Sequence, residues 1–409
     1  MKFAFISTTF PPDLARFVLG VHKRASMFIK AISNLADLEM LLYVDPRIPI
    51  SSDYAFLMEQ QLQNYWQIKL TLRLCHLAPY NPSNSWLRFY INPIFSVYNH
   101  SAFCRMALAQ QVAAYEELLS HNPDAIFAHR LSSMCLINRS RIKPHQSIYF
   151  DLDDIEHTAF LRNLKQPPYW KAKHIFYLHV FSLLLAERAA IKRSRKTFVC
   201  SDNDRIKLSK SLKFQNIVTI PNAVEIRKKL PLPSQPTLLF LGTFGYQPNV
   251  IAANYLLSEI WPRIISTVPH AKLLIAGENP DQITAFRSNP PQVEFCGFVE
   301  DLDALYADTR VVCCPILSGG GTRIKILEAS AYTRPVVSTH IGAEGLNFSD
   351  GKDILLRDDP ASFADACISL LTNYDKATNI SIAAYQTVGQ FFDRSNIIQR
   401  ITKELSMIN

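Results

Sequence analysis

The chain has 409 residues, 48% of them hydrophobic and 19% charged. That is more than one core comfortably holds, and the composition is that of an ordinary soluble protein, so two globular domains are expected. The net charge of +8 is unevenly spread, with 30 Lys and Arg against 17 Asp and Glu in residues 1–230, a balance of +13, and 13 against 18 in residues 231–409, a balance of −5.

A basic first half is expected to meet something anionic, either an acidic lipid surface or a phosphorylated acceptor. Its cations are not interleaved with aromatic residues, so nucleic acid is not expected. The eight cysteines are scattered without Cys-x-x-Cys spacing and read as reduced thiols of a cytoplasmic protein.

In chain order, residues 1–7 read as a strand, and Pro11-Pro12-Asp13 ends its apolar run in a turn. No small-residue cleavage site follows, so a signal peptide is not expected. A helix is expected over 21–35, then strands at 38–44, in the run AIFA ending at Ala128, at 147–152 and at 197–200. Strands alternating with helices predict a Rossmann-like domain. Residues 45–100, rich in Tyr, Trp, Asn and Pro, show no clean period and are expected to be variable helices and loops.

Residues 176–186 (FYLHVFSLLLA) are the most apolar helical stretch. They fall short of the about 20 residues that cross a bilayer, which predicts a buried packing helix, with a membrane-facing amphipathic helix as the alternative. The densest basic cluster, Lys192-Arg193-Ser194-Arg195-Lys196, reads as a solvated helix end.

The Pro-rich stretch around Arg227 to Ser234 reads as a linker. Beyond it, strands are expected at 237–242, 271–277, 293–297, 310–316 and 334–339, with Asn249 as N-cap of a helix over 250–265 and a helical tail over 391–407. The strand at 310–316 runs into Ser318-Gly319-Gly320-Gly321-Thr322-Arg323-Ile324-Lys325. Three glycines let a backbone pass close to an anion, a helix starting near Thr322 aims its free N–H groups at the same point, and Arg323 and Lys325 supply two cations. That combination predicts a diphosphate cradle at the carboxyl ends of a parallel sheet.

Six blocks in this half resemble the group 1 glycosyltransferases, glycosyltransferase family 4. They are Phe240-Leu241-Gly242-Thr243, Tyr246-Gln247-Pro248-Asn249, Ile275-Ala276-Gly277, Gly297-Phe298-Val299, Gly319-Gly320-Gly321-Thr322-Arg323 with Lys325 and Glu328, and Arg334 to Thr339 with Gly342-Ala343-Glu344-Gly345. The resemblance implies an α/β molecule of GT-B fold, two Rossmann-like domains facing each other across a cleft. Residues 1–222 would form the acceptor-side domain, 223–236 the linker, 237–390 the nucleotide-sugar domain, and 391–409 a helix crossing back. It also implies an enzyme of polysaccharide biosynthesis, and the reduced thiols and basic first half add the expectation that it is cytoplasmic and peripheral at the inner face of the membrane. The enzyme would be retaining and metal-independent, without a cofactor, and would move a sugar from a nucleotide diphosphate sugar to a glycan, lipid-linked or small-molecule acceptor.

On this resemblance Glu328 would accept hydrogen bonds from the nucleotide ribose, and Arg323 and Lys325 would hold the diphosphate and stabilise it as it leaves. Backbone near Phe298 and Val299 would hold the base, with Thr243 and Glu278 at the mouth of the site. The family's earlier glutamate falls at Gly320, a departure shared by relatives with the Gly-Gly-Gly-Thr-Arg version. In the first domain Asp153, Asp154 and His157 are candidates for the donor sugar, and Gly20, followed by His22, Lys23 and Arg24, stands where relatives carry two glycines. Three alternatives remain at this stage. Asp153 or Asp154 could only cap a helix, Asp151 could be the nucleophile of a haloacid-dehalogenase-like phosphatase, and the chain could be an inert GT-B binding module.

Overall fold

The computed structural model describes residues 1–8, 20–79, 87–100, 103–142, 144–166, 169–170 and 173–406. The Pro11-Pro12-Asp13 turn lies outside them. The chain divides into two compact units, Met1–Pro221 with Ile397–Asn409, and Asn222–Asn396.

Unit 1 runs β1 (Lys2–Ser7), α1 (Gly20–Ser33), β2 (Asp37–Val44), α2 (Ser52–Trp66), β3 (Leu70–His76), α3 (Asn92–Phe95), α4 (Ala109–Ser120) and β4 (Ala125–His129). It continues with α5 (Arg130–Arg139), β5 (Ser147–Asp153), α6 (Glu156–Leu164), α7 (Lys173–Arg193), β6 (Lys196–Val199), α8 (Asp202–Leu212) and β7 (Ile217–Thr219). The seven strands form one parallel sheet in the order β3-β2-β1-β4-β5-β6-β7. Helices cover both faces, so the central strands bury consecutive residues such as Phe3, Ala4, Phe5 and Ile6 rather than alternate ones.

Three readings of unit 1 are corrected. Residues 45–100 contain a strand, β3, whose Leu70-Thr71-Leu72-Arg73-Leu74 has the period of two that a half-covered edge strand requires. The apolar stretch at 176–186 is not a buried packing helix. It is the middle of the 21-residue α7, and Tyr177, Leu178, Phe181 and Leu185 are exposed. The basic cluster is only partly solvated, since Arg193 Nη1 donates to the carbonyl of Ile137 at 2.8 Å and Lys196 Nζ pairs with Glu404 at 2.9 Å.

Unit 2 contains β8 (Thr237–Leu241), α9 (Gln247–Tyr255), α10 (Trp261–Thr267), β9 (Lys272–Ala276), β10 (Val293–Gly297), α11 (Leu302–Ala307) and β11 (Val311–Cys314). It is completed by α12 (Ile324–Ala331), β12 (Val336–Ser338), β13 (Leu355–Leu356), α13 (Pro360–Thr372) and α14 (Tyr374–Phe391). The parallel order is β10-β9-β8-β11-β12-β13. The stretch read as a linker is bound to this unit. Val224 N–H reaches Phe392 O at 3.0 Å, Leu230 N–H reaches Thr333 Oγ1 at 3.0 Å, and Arg334 Nη1 reaches Pro231 O at 3.0 Å. The tail helix, α15 (Arg394–Ser406), starts three residues later than expected, because α14 ends at Phe391 and the Asp393 carboxylate takes the Asn396 N–H at 2.9 Å.

Burial also gives unit 1 an acid sensitivity. It lowers His22 and His100 from 6.5 to about 4 and drives His129 well below its ordinary value. Between these limits the unfolded chain binds protons that the folded unit refuses, so stability falls as pH drops from about 6.5 toward 4. Asp151 and Glu187, pushed up by burial, offset part of this. Amide protection factors in β1, β4 and β5 should fall between pH 7 and pH 5 while those of β8, β9 and β11 hold, and parallel behaviour of the two sheets would remove the histidines from the account.

Candidate functional site

In unit 2 the chain leaves β8 for β9 on one side, and β11 lies on the other, so the crevice beyond the carboxyl ends of β8 and β11 is the switch point where ligands of such sheets bind. The loop after β11 carries Gly319, Gly320, Gly321, Thr322 and Arg323, and α12 follows it. No side chain caps α12, so its first N–H groups open toward the loop. Across the crevice, Gly242 to Tyr246 after β8 and the first turn of α9 face the same space.

Lys325 is fixed from both sides. Its Nζ donates to Asn249 Oδ1 at 3.0 Å and sits 4.7 Å from the centre of the Phe240 ring. The Asn249 amide in turn donates to the carbonyl of Thr243 at 2.9 Å. Asn249 is therefore no N-cap: α9 begins at Gln247, and Asn249 aims the lysine instead. Burial lowers the Lys325 ammonium from its ordinary value, so an anion arriving there restores charge that desolvation disfavours.

Arg323 is folded onto its own loop. Its guanidinium donates to the carbonyls of Gly320, of Gly321 at 3.1 Å and of Ser318 at 3.2 Å. Its Nε and the Ser318 hydroxyl, both buried, have no hydrogen-bond partner, which leaves unused donor capacity in the loop. Gly319 has φ +102°, and a Cβ there would stand 2.9 Å from the Tyr246 hydroxyl and 3.0 Å from Arg323 Nη2. Only glycine brings these groups so close. The Thr322 hydroxyl accepts from Asn222 Nδ2 at 2.8 Å, tying the loop to the start of the unit.

Glu328 follows Lys325 by one turn of α12 and is half-buried. Burial, then the carboxylate of Glu328, push the Tyr306 phenol far up. Beyond β9 and β10 the backbone is laced together by Gly242 N–H to Ala276 O at 2.9 Å and Gly277 N–H to Gly297 O at 2.7 Å, and Phe244 N–H meets the carbonyl of Glu278 at 3.0 Å. Phe298 stands exposed after that bend. Val299 instead lines a separate open cavity of about 640 Å³ among Lys272, Glu294, Cys296 and Asp301, which contains none of the cradle residues.

In unit 1 the candidates sit at the carboxyl end of β5, but their partners differ from expectation. Neither Asp153 nor Asp154 caps α6, whose N-cap is Ile155 without a side-chain bond. The buried Glu187 of α7 takes both the His157 N–H at 3.0 Å and its Nδ1 at 2.5 Å, so His157 is held as a structural partner. Asp151 is fully buried under Arg24, which reaches its two oxygens at 2.7–3.0 Å. A carboxylate so covered cannot attack phosphorus, and the phosphatase reading is set aside. Gly20 opens α1, while the loop before it lies outside the described residues.

Sequence reasoning missed the neighbours of this cluster. His129 ends β4 beside β1 and Arg130 opens α5, at the switch point of unit 1. His129 Nδ1 meets Ser7 Oγ at 2.9 Å, and its buried Nε2 has no partner. Arg130 (φ +67°) and Asp153 (φ +60°) both hold left-handed backbone that non-glycine residues avoid, and such strain gathers at functional sites. The signal was available: the run AIFA ends in His129-Arg130, two polar residues at the carboxyl end of a buried strand.

Residues 235–373 match the family of group 1 glycosyl transferases. Among curated proteins, the chain is 27% identical over 175 residues to an uncharacterized 44.6 kDa protein in the cps region of Klebsiella pneumoniae, covering 41% of this chain and 45% of that one. It is 25% identical over 199 residues to the phosphatidyl-myo-inositol mannosyltransferase of Mycobacterium leprae, covering 46% and 52%. The matches thus span about half the length of these relatives. Among solved structures, sucrose-phosphate synthase from Thermosynechococcus elongatus superposes with TM-score 0.72 at 16% identity over 100% of this chain and 98% of that one. Anabaena HepE, solved with UDP and glucose, superposes with TM-score 0.66 at 14% identity over 99% of each. Residues 235–373 are a group 1 glycosyltransferase domain, carried in a molecule of GT-B fold.

Proposed function

We propose that the protein is a glycosyltransferase that takes its sugar from a nucleotide diphosphate sugar, retains the anomeric configuration and needs no metal. The observation that carries the reading is the meeting of Lys325, Arg323, Gly319 and Gly242 at one switch point inside the matched domain. A diphosphate entering the loop would exchange the backbone carbonyls now held by Arg323 for its own oxygens. Lys325, aimed by Asn249, would meet the same anion. Two fixed cations would then stabilise the charge that grows on the leaving nucleoside diphosphate as its bond to the sugar breaks, the work a divalent ion performs elsewhere. His129, Arg130 and Asp153 of unit 1 are the residues proposed for the donor sugar, with Asp154 beside them. The acceptor is proposed to be a glycan or a lipid-linked sugar, met at the cytoplasmic face of a membrane.

Thermal shift with a panel of nucleotide sugars, UDP sugars first because HepE holds UDP, tests donor binding, since a ligand of the native state alone raises its melting point. Glu328→Gln should weaken nucleotide binding while leaving pyrophosphate affinity nearly unaltered, as only the ribose contact changes. Equal loss for both ligands would make Glu328 structural. Turnover that persists in chelator, with product anomers assigned by NMR, checks metal independence and retention. Binding without turnover would favour an inert module.

A further inference from the structure

Helix α7 turns an apolar stripe to solvent as well as one to the core. Its exposed residues are 174, 177, 178, 181, 185, 188, 189 and 192, the spacing of a single helix face. The middle of that face is Tyr177, Leu178, Phe181 and Leu185, with Phe181 60% exposed. The face turned into unit 1 buries Leu183, Ala190 and Ile191 together with the polar Lys173, His179, Ser182 and Glu187. These buried polar groups have internal partners. Glu187 holds His157, His179 Nε2 donates to the carbonyl of Tyr90 at 2.8 Å, and Lys173 Nζ lies 4.5 Å from the centre of the Tyr169 ring. A helix whose outer face meets only water keeps that face polar, and the stripe of Tyr177, Leu178, Phe181 and Leu185 departs from this. The band also extends sideways. Phe176 lies 5.7 Å from Phe89 and 6.2 Å from Trp170 between ring centres, and α3, packed against α7, ends in Phe95, 80% exposed.

We infer that this face is a contact for an anionic membrane surface, with α7 lying along the headgroup layer, Phe181 and its neighbours in the hydrocarbon boundary, and Arg188 and Lys192 against the headgroups. Charge selects this occupant. The exposed stripe carries Arg188 and Lys192 at one end, His174 at the other, and no carboxylate. A second copy would bring the same cations with nothing to meet them, whereas acidic headgroups match both the stripe and the basic surplus of the first half of the chain. By length and composition α7 could cross a membrane, yet crossing would strip away the packing that satisfies Glu187 and His179. The apolar band from Tyr177 to Leu185 is about 12 Å long at 1.5 Å per residue, a length for lying in an interface rather than spanning it. The inference rests on unit 1 alone and stands apart from the transfer reading.

Flotation of the full chain with vesicles tests it, using phosphatidylcholine alone and phosphatidylcholine mixed with phosphatidylglycerol. The wild type should float with the acidic vesicles, and a fraction should stay bound at high salt, because apolar insertion is not screened. The double variant Phe181→Glu, Leu185→Glu should lower the bound fraction about tenfold or more at any salt while its circular dichroism and melting are kept, since both positions face solvent. Arg188→Gln with Lys192→Gln should remove only the salt-sensitive part. Wild-type flotation by the Phe181 and Leu185 variant overturns the inference. So does a wild type that fails to float and whose dimer this variant dissolves, which would assign the face to a second copy. Should the double variant melt early, tryptophan quenching by brominated acyl chains decides. Quenching that Trp170→Phe removes supports the contact, and its absence overturns it.

Discussion

Lys325→Ala is expected to weaken nucleoside diphosphate binding by about 1.5 to 3 kcal/mol, the range of a hydrogen bond to a charged group, or roughly ten- to a hundredfold in Kd. The geometry sharpens the expectation. The ammonium is aimed by Asn249 and lies against the Phe240 ring, so part of its contribution depends on Asn249. Asn249→Ala should therefore weaken binding by less, and the double variant should cost little more than Lys325→Ala alone, because residues that act through one contact are not additive. Calorimetry with a nucleoside diphosphate measures all three. Losses that simply add would separate Asn249 from the site, and an unchanged Kd in Lys325→Ala would remove the lysine.

The largest loss of stability is expected at Gly277. Its φ is +144°, and a Cβ there would stand 1.8 Å from the carbonyl oxygen of Gly242. That oxygen belongs to the backbone lacing beyond β8 and β9, so it cannot swing aside as a side chain would. Gly277→Ala should cost more than about 4 kcal/mol, in the range reserved for backbone collisions and lost cores. Gly351 is the control: its φ is +77° but nothing lies within 4 Å of the added Cβ, so Gly351→Ala should cost only about 1 to 2 kcal/mol of left-handed strain. Urea unfolding compares the two, and equal costs would show that φ alone, not the contact, decides.

How much of this was legible depended on what kind of signal each feature carries. Buried parallel strands are continuous apolar runs, so β1, β2, β9 and β11 could be read within a residue or two. The edge strand β3 announces itself by alternation amid Tyr and Asn, and was passed over. The glycine loop was legible because close approach to an anion demands that composition. What could not be read was who holds whom. Asn249 looks like a cap from its place before a helix, and only the fold shows that its amide is spent on Thr243 and Lys325. Asp153, Asp154 and His157 stood out as a charged run, yet the partners of Asp153 and His157, Arg24 and Glu187, lie far away in the chain. Long-range pairing has no local signature. The face of α7 failed for a related reason, since its composition is that of a core helix and only burial reveals which side is turned out.

The strap at Val224 has a topological consequence. Val224 pairs with both Phe392 and Arg394, through N–H to O and O to H–N contacts of 3.0 Å each, so the entry and exit of unit 2 are stapled side by side. Because Ile397–Asn409 rejoin unit 1, the second unit is an insertion in the first rather than an appendage to it. A loop whose ends are already together adds little closure entropy to its host. The inserted segment, Asn222–Asn396, is thereby suited to excision as an independent folding unit and to circular permutation across the staple, whereas removing α15 would cost unit 1 the Glu404 partner of Lys196 and unit 2 the Arg394 half of the staple.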